Sequence, residues 1–256
     1  MMRRALLVSL FYLTAACGGP EELVENSLSL NTVKQRLALF DYQASSSTNN
    51  ATDPNTSADY YVSLNANEAV MIGTCVLNEA TYTNDTYLRL FNPSSVEVAY
   101  NDDHCNSLGS KISYTPTTTG SFMIRAGCYS TGTCSGTVAL ARRKGAPVAF
   151  NVGNTNNAQV NTFNKQYFFN GGELVRVSTC AYNSTGSTAT GDTYLRLYQN
   201  NGGVFTLVAS NDNSVAGVCG TAAEIVYSVP SSGYYQFRAG CAANTACSGN
   251  VTVYVE

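Results

Sequence analysis

The strongest constraint on this chain is that its second half repeats its first. Asp85-Thr86-Tyr87-Leu88-Arg89-Leu90 returns as Asp192-Thr193-Tyr194-Leu195-Arg196-Leu197, and Arg125-Ala126-Gly127-Cys128 returns as Arg238-Ala239-Gly240-Cys241. Cys134-Ser135-Gly136 likewise returns as Cys247-Ser248-Gly249. The offsets run from 105 residues (Cys75 to Cys180) to 113 (Arg125 to Arg238). Such a period is domain-sized, well beyond that of a solenoid, and long enough for each copy to bury its own core. Each copy holds four of the nine cysteines, which leaves Cys17 without a counterpart.

Within each copy the apolar pattern has period two. Leu88 and Leu90 share one face while Tyr87, Arg89 and Phe91 share the other; Tyr235, Phe237 and Ala239 alternate with Gln236 and Arg238. Short strands with Asn, Gly, Ser and Pro turns, and no sustained helical period, predict an all-β chain of two tandem antiparallel, jelly-roll-like β-sandwiches. The first is expected over 38–143 and the second over 144–256. Between them, Ala141-Arg142-Arg143-Lys144-Gly145-Ala146-Pro147 reads as a solvated basic junction, the other reading being a patch for anionic lipid or polysaccharide.

The amino terminus reads as an export signal over 1–16. Met1-Met2-Arg3-Arg4 is basic, and the apolar run Ala5 to Leu13 is too short to anchor in a bilayer. Leu13-Thr14-Ala15-Ala16-Cys17 resembles a bacterial lipobox, with Thr14 where that pattern prefers leucine. The resemblance implies that Cys17 is acylated, that 17–37 is a tether, and that the protein is a lipoprotein of the outer membrane or cell surface, or of the periplasmic face. Two other readings are ordinary cleavage nearby, with Cys17 a free thiol, and a coincidental cysteine.

Without Arg3 and Arg4 the chain carries 12 basic and 17 acidic residues, a net charge of −5, which excludes a nucleic-acid binder. Catalysis has little to work with. His104 is the one histidine and lies beside a cysteine expected to be oxidised, and Asp102 and Asp103 are strand neighbours that point to opposite faces. We therefore expect no enzyme. The spacing lacks the paired CxxC of a zinc site.

Cys128 and Cys134 flank a short loop, as do Cys241 and Cys247, so local pairing is expected in both copies. Four cysteines allow three connectivities. Of these, Cys75–Cys105 and Cys180–Cys219 complete the set that staples the loops at one end of each sandwich. Disulfides place the chain in an oxidising compartment.

If Asp85 pairs with Asp102, the hairpin turns at Pro93-Ser94; if Asp192 pairs with Asp212, it turns inside Asn200-Asn201-Gly202-Gly203. Either way Asp85, Asn101, Asp102 and Asp103 gather at one end of the first sandwich, and Asp192, Asn211 and Asp212 at the same end of the second.

These segments resemble the bacterial pre-peptidase C-terminal domain. Its Asp-Thr-x-Leu-x-Leu strand matches Asp85–Leu90 and Asp192–Leu197, and its Asn-Asp-Asp turn matches Asn101-Asp102-Asp103 and Asn211-Asp212-Asn213. Its Ile-x-Tyr strand matches Ile112-Ser113-Tyr114 and Ile225-Val226-Tyr227, and a Gly-x-Tyr-x-Phe strand and closing Ser-Gly strand follow in both copies. The resemblance implies a β-sandwich accessory module of secreted enzymes, sometimes binding calcium and sometimes substrate. Two departures stand out, namely the cysteines and the lack of a peptidase domain.

The acidic clusters are candidate calcium sites, since two or three carboxylates with Asn side chains and carbonyls could supply the oxygens calcium needs. The alternative is that they only form Asx turns. Tyr87, Arg89 and Phe91, and in the second copy Tyr194, Arg196 and Tyr198, form aromatic–Arg–aromatic stripes that are a candidate partner surface. The competing reading is cross-strand pairing. Together these point to a non-enzymatic envelope lipoprotein that binds a surface protein or glycan in adhesion, motility or envelope assembly. The alternative function is an accessory subunit of a separate secreted hydrolase.

Overall fold

The computed structural model describes residues 38–105, 107–214 and 218–256. The expected signal, the Cys17 lipidation site and the tether lie outside the described residues. No helix among the described residues is long and apolar enough to cross a membrane.

The chain is all-β. The first nine strands are β1 (Ala38–Ala44), β2 (Ala58–Leu64), β3 (Val70–Gly73), β4 (Thr81–Thr83), β5 (Thr86–Phe91), β6 (Glu97–Asn101), β7 (Lys111–Tyr114), β8 (Gly120–Cys128) and β9 (Cys134–Arg143). The next nine are β10 (Val148–Gly153), β11 (Phe163–Phe169), β12 (Leu174–Ser178), β13 (Thr188–Thr190), β14 (Thr193–Asn201), β15 (Val204–Asn211), β16 (Glu224–Ser228), β17 (Gly233–Cys241) and β18 (Ala246–Val255). One outer sheet has the order β2-β8-β5-β6, and its equivalent in the second sandwich is β11-β17-β14-β15. The opposing layers are fused. β9 and β18 pair at their carboxyl ends, Tyr254 with Arg143 and Val255 with Arg142, to make a continuous ten-stranded sheet.

The alternation in the sequence packs as expected. Leu88, Leu90, Phe122 and Ile124 from the outer sheet meet Val70, Ile72, Val138 and Leu140 from the shared sheet. Leu195, Leu197, Tyr235 and Phe237 meet Val175, Val177, Val251 and Val253 in the second core. Fully burying each such side chain contributes about 1.5–3 kcal/mol.

Hairpin geometry differs from the sequence expectation in one respect. Leu88 faces Asn101 and Leu195 faces Asn211, so the acidic ends are two residues out of the Asp85–Asp102 and Asp192–Asp212 pairing. A bulge in both hairpins, at Leu90/Phe91 and at Leu197/Tyr198, puts an extra residue in β6 and β15 and accounts for one of the two; the other comes from turns centred half a residue further along the chain than the Asp–Asp pairing implies. The second turn does form at Gly202 and Gly203, with φ of 64° and 97°, the positive values that a two-residue hairpin loop requires.

Much of what repeats is joinery. Thr86 Oγ1 lies 3.1 Å from Thr74 Oγ1 and accepts the Ser110 N–H, while Thr193 Oγ1 lies 2.7 Å from Thr179 Oγ1 and accepts the Ala223 N–H. Thr48 Oγ1 donates to the Cys128 carbonyl and accepts its N–H, as Thr155 does for Cys241. Disulfides join Cys75–Cys105, Cys128–Cys134, Cys180–Cys219 and Cys241–Cys247.

What differs between the copies builds the junction. Tyr254, in the place of Ala141, is buried against Met71, Leu77 and Ala139, and its hydroxyl donates to the Thr185 carbonyl at 2.8 Å. Arg176, in the place of Met71, is 3% exposed. It binds Glu224 at 2.7 Å, Glu256 at 2.8 Å and the Val76 carbonyl at 2.8 Å. Lys111, in the place of Glu224, donates to the carbonyls of Tyr182 at 2.6 Å and Asn183 at 3.0 Å.

Burial, and then the Arg176 charge, push the Lys111 amine down to about 8 from 10.5, against the pull of Glu224. Between those values the folded protein has released a proton that the unfolded chain keeps, so this group adds stability as pH rises through that window. Urea unfolding of wild type and Lys111→Met should therefore diverge, with wild type gaining about 2 kcal/mol on the variant from pH 7.5 to 10. A constant difference would mean that Lys111 is solvated at the junction.

Candidate functional site

The acidic ends come first. The Asn101 side-chain oxygen accepts the Lys111 N–H at 2.8 Å and that of Asn211 accepts the Glu224 N–H at 3.1 Å, so both serve as strand-end locks. Asp102 Oδ1 accepts the Asp103 N–H at 2.8 Å. Asp85 Oδ1 and Asp192 Oδ1 are buried and have no hydrogen-bond partner among the described residues. Burial raises the Asp85 carboxyl above the usual range, and Asp103 and Asp102 raise it further; burial and then Asp212 do the same to Asp192. No group of three His, Cys, Asp or Glu among the described residues is placed to hold a metal ion. Among the described residues the carboxylates as folded form no closed cage.

The stripes lie on the outward faces of β5 and β14 and are largely committed within the chain. Tyr87 is buried, with the Arg89 guanidinium 4.8 Å from its ring centre and Tyr100 stacked on it at 6.0 Å. Arg89 also donates to the Asn50 carbonyl at 2.7 Å and pairs with Glu97. Arg196 does the same for the Asn157 carbonyl at 2.6 Å and lies over Tyr194. In both copies the arginine pins the loop that leads into the outer sheet. Phe91 sits under Arg125, which is held by Asp59 at 2.6 Å. Tyr198 sits under Arg238 at 4.1 Å.

His104 is also engaged. Its ring stacks on Tyr182 at 4.3 Å and its Nε2 lies 3.3 Å from the Tyr182 carbonyl. Burial, then the Lys111 charge, lower its pKa.

The outward face of β11-β17-β14-β15 carries the exposed aromatic surface that the repeats did not reveal. Register lines Phe168, Tyr234, Asn200 and Phe205 in one row across the sheet, and Gln166, Gln236, Tyr198 and Leu207 in the next. Phe168 is 44% exposed, Tyr234 54%, Leu207 43% and Phe205 36%. Phe168 and Tyr234 meet edge to face at 5.4 Å. The first copy has Ser63 and Ser121 at the places of Phe168 and Tyr234, paired across the same two strands. The signal was present in the sequence, in the positions where the copies disagree.

No protein-family profile matches this chain, and no curated protein matches it. Among solved structures, the N-terminal CBM22-1–CBM22-2 tandem domain of Xyn10C from Paenibacillus barcinonensis is similar at 10% identity and a TM-score of 0.26, over 75% of this chain and 82% of that one. The likeness assigns no residue and no ligand here.

Proposed function

We propose that the protein is an exported, non-catalytic binding protein, attached to the envelope through acylated Cys17. It holds a surface protein or glycan against the outer face of its second sandwich. The observation that carries this reading is the row of Phe168, Tyr234 and Phe205 beside the amides of Gln166, Gln236 and Asn200. Large rings on a rigid sheet anchor partners at little conformational cost, and amides beside them supply direction. Four disulfides suit an oxidising compartment. His104 stacks on Tyr182 with Nε2 at its carbonyl, and no serine, cysteine or carboxylate is hydrogen-bonded to its ring among the described residues, which supports the non-catalytic reading.

The test exchanges residues between the copies. Phe168→Ser with Tyr234→Ser installs what the first copy carries at those positions, on the same strands. Binding of the exported chain to immobilised envelope proteins and cell-surface glycans should weaken about tenfold or more, with the melting temperature little changed. Unchanged binding would rule this face out.

The unpartnered Asp85 and Asp192 oxygens support a second component, stabilisation by calcium. For a site of about 10 μM affinity, millimolar calcium adds about 2.7 kcal/mol, a rise of several degrees in the melt. Asp85→Asn should remove the first copy's share. A melt identical in calcium and in chelator would leave both clusters as turn residues.

A further inference from the structure

A cleft of about 570 Å³ opens at the junction, walled by Val76 and Cys105 of the first sandwich and by residues of the second. Its volume is in the range of small-ligand pockets, and the meeting of two domains is where such pockets form. From the chemistry of its walls we infer that it binds an uncharged, hydroxyl-rich molecule the size of one or two sugar residues.

Charge sets the class. Arg176 and Glu224 are the charged side chains on the wall, and they bind each other at 2.7 Å. The guanidinium is further held by Glu256 and the Val76 carbonyl, and the Glu224 carboxylate accepts the Asn183 amide at 2.9 Å. Neither charge is left over for a ligand. An anion would have to displace a carboxylate from Arg176, and a cation would have to displace Arg176, each leaving a buried charge unpaired.

The remaining wall is of two kinds. Ala209, Val218 and Val226 give apolar surface, while Asn211, Ser210 and Ser214 carry hydrogen-bonding groups. The Asn211 oxygen is committed to the Glu224 N–H, which leaves its amide NH₂ without a partner among the described residues. A pyranose ring presents this same pairing of an apolar face and a rim of hydroxyls. The walls are also specific to the second copy, since Arg176, Tyr182 and Glu224 stand where the first copy has Met71, Leu77 and Lys111. Duplication of the scaffold does not by itself produce them.

The inference rests on the reading of the protein as a binding protein but on different residues, so the two can fail separately. Saturation-transfer NMR on the full exported chain would use maltose, cellobiose, lactose and N,N′-diacetylchitobiose as neutral probes, with glucuronate and glucosamine as charged comparators. At least one neutral disaccharide should receive transfer, and Val226→Trp should weaken its binding about tenfold. Val226 is 45% exposed, so the indole fills the cleft without entering the core. Ser210→Trp, also at an exposed wall position, repeats the test should the first variant misfold. The Phe168→Ser, Tyr234→Ser variant should retain the signal. Transfer to none of the neutral sugars, stronger transfer to a charged comparator, or binding indifferent to both tryptophans would overturn the assignment.

Discussion

Alanine at Arg176 is expected to lower stability by about 3–5 kcal/mol, the usual cost of leaving buried charge without its partner. The side chains of Arg176, Glu224 and Glu256 are 4%, 8% and 1% exposed. Removing the guanidinium abandons two carboxylates at once, and the Val76 carbonyl loses a charge-assisted bond from the other sandwich. For a chain of this size the melting temperature should fall by about 6–20 °C. The pair itself is not the source of net stability, because desolvation offsets most of its attraction. Hence Arg176→Met combined with Glu224→Gln and Glu256→Gln should recover most of the loss, the methionine being what the first copy carries at Met71. Urea unfolding of both variants separates the cases. A loss under about 1 kcal/mol in the single variant would mean that water reaches the network.

The same residue shows where sequence reading stops. Val175-Arg176-Val177 alternates like any strand with one wet face, and by that pattern Arg176 should meet solvent. It does not, because β9 and β18 pair at their ends and bring the first sandwich over that face. Such a docking depends on how two finished domains meet, and the period of a single strand carries no record of it. Tyr254 is hidden for the same reason. Within a copy the sequence is far more legible. The alternation around Leu88 and Leu90 marked the core, Asn-Asn-Gly-Gly marked the second hairpin turn, and the cysteine spacing matches the disulfides that form. The bulges escaped because either register keeps Leu88 and Leu195 inward. The stripes were visible as a pattern, but Asn50 and Asn157, whose carbonyls hold the two arginines, lie in loops whose path the sequence leaves open.

Comparison of the copies also explains a motif that carries no side chain, and it predicts the other large effect. Gly249→Ala should cost about 3–4 kcal/mol, since it combines a close steric contact with an unfavourable backbone conformation. A Cβ on Gly249 would sit 2.0 Å from the Thr188 carbonyl oxygen of β13, at a backbone φ of +157°. The equivalent contact in the first copy is 2.4 Å, from Gly136 to the Thr81 carbonyl oxygen of β4. In both sandwiches a three-residue strand crosses the start of the closing strand at that point, β4 on β9 and β13 on β18. The obstructing atom is backbone, so relief requires the short strand to leave the sheet. β13 ends at Thr190, just before Asp192, so its release should reach the acidic end as well. Amide hydrogen exchange on Gly249→Ala should show loss of protection at Thr188–Thr190 and persistence of the β14–β17 pairing. Protection retained in β13 with a loss below about 1 kcal/mol would mean that a small backbone shift accommodates the methyl without β13 leaving the sheet. The Ser-Gly pair that recurs in the two copies is then a steric requirement of the crossing strand, independent of any ligand.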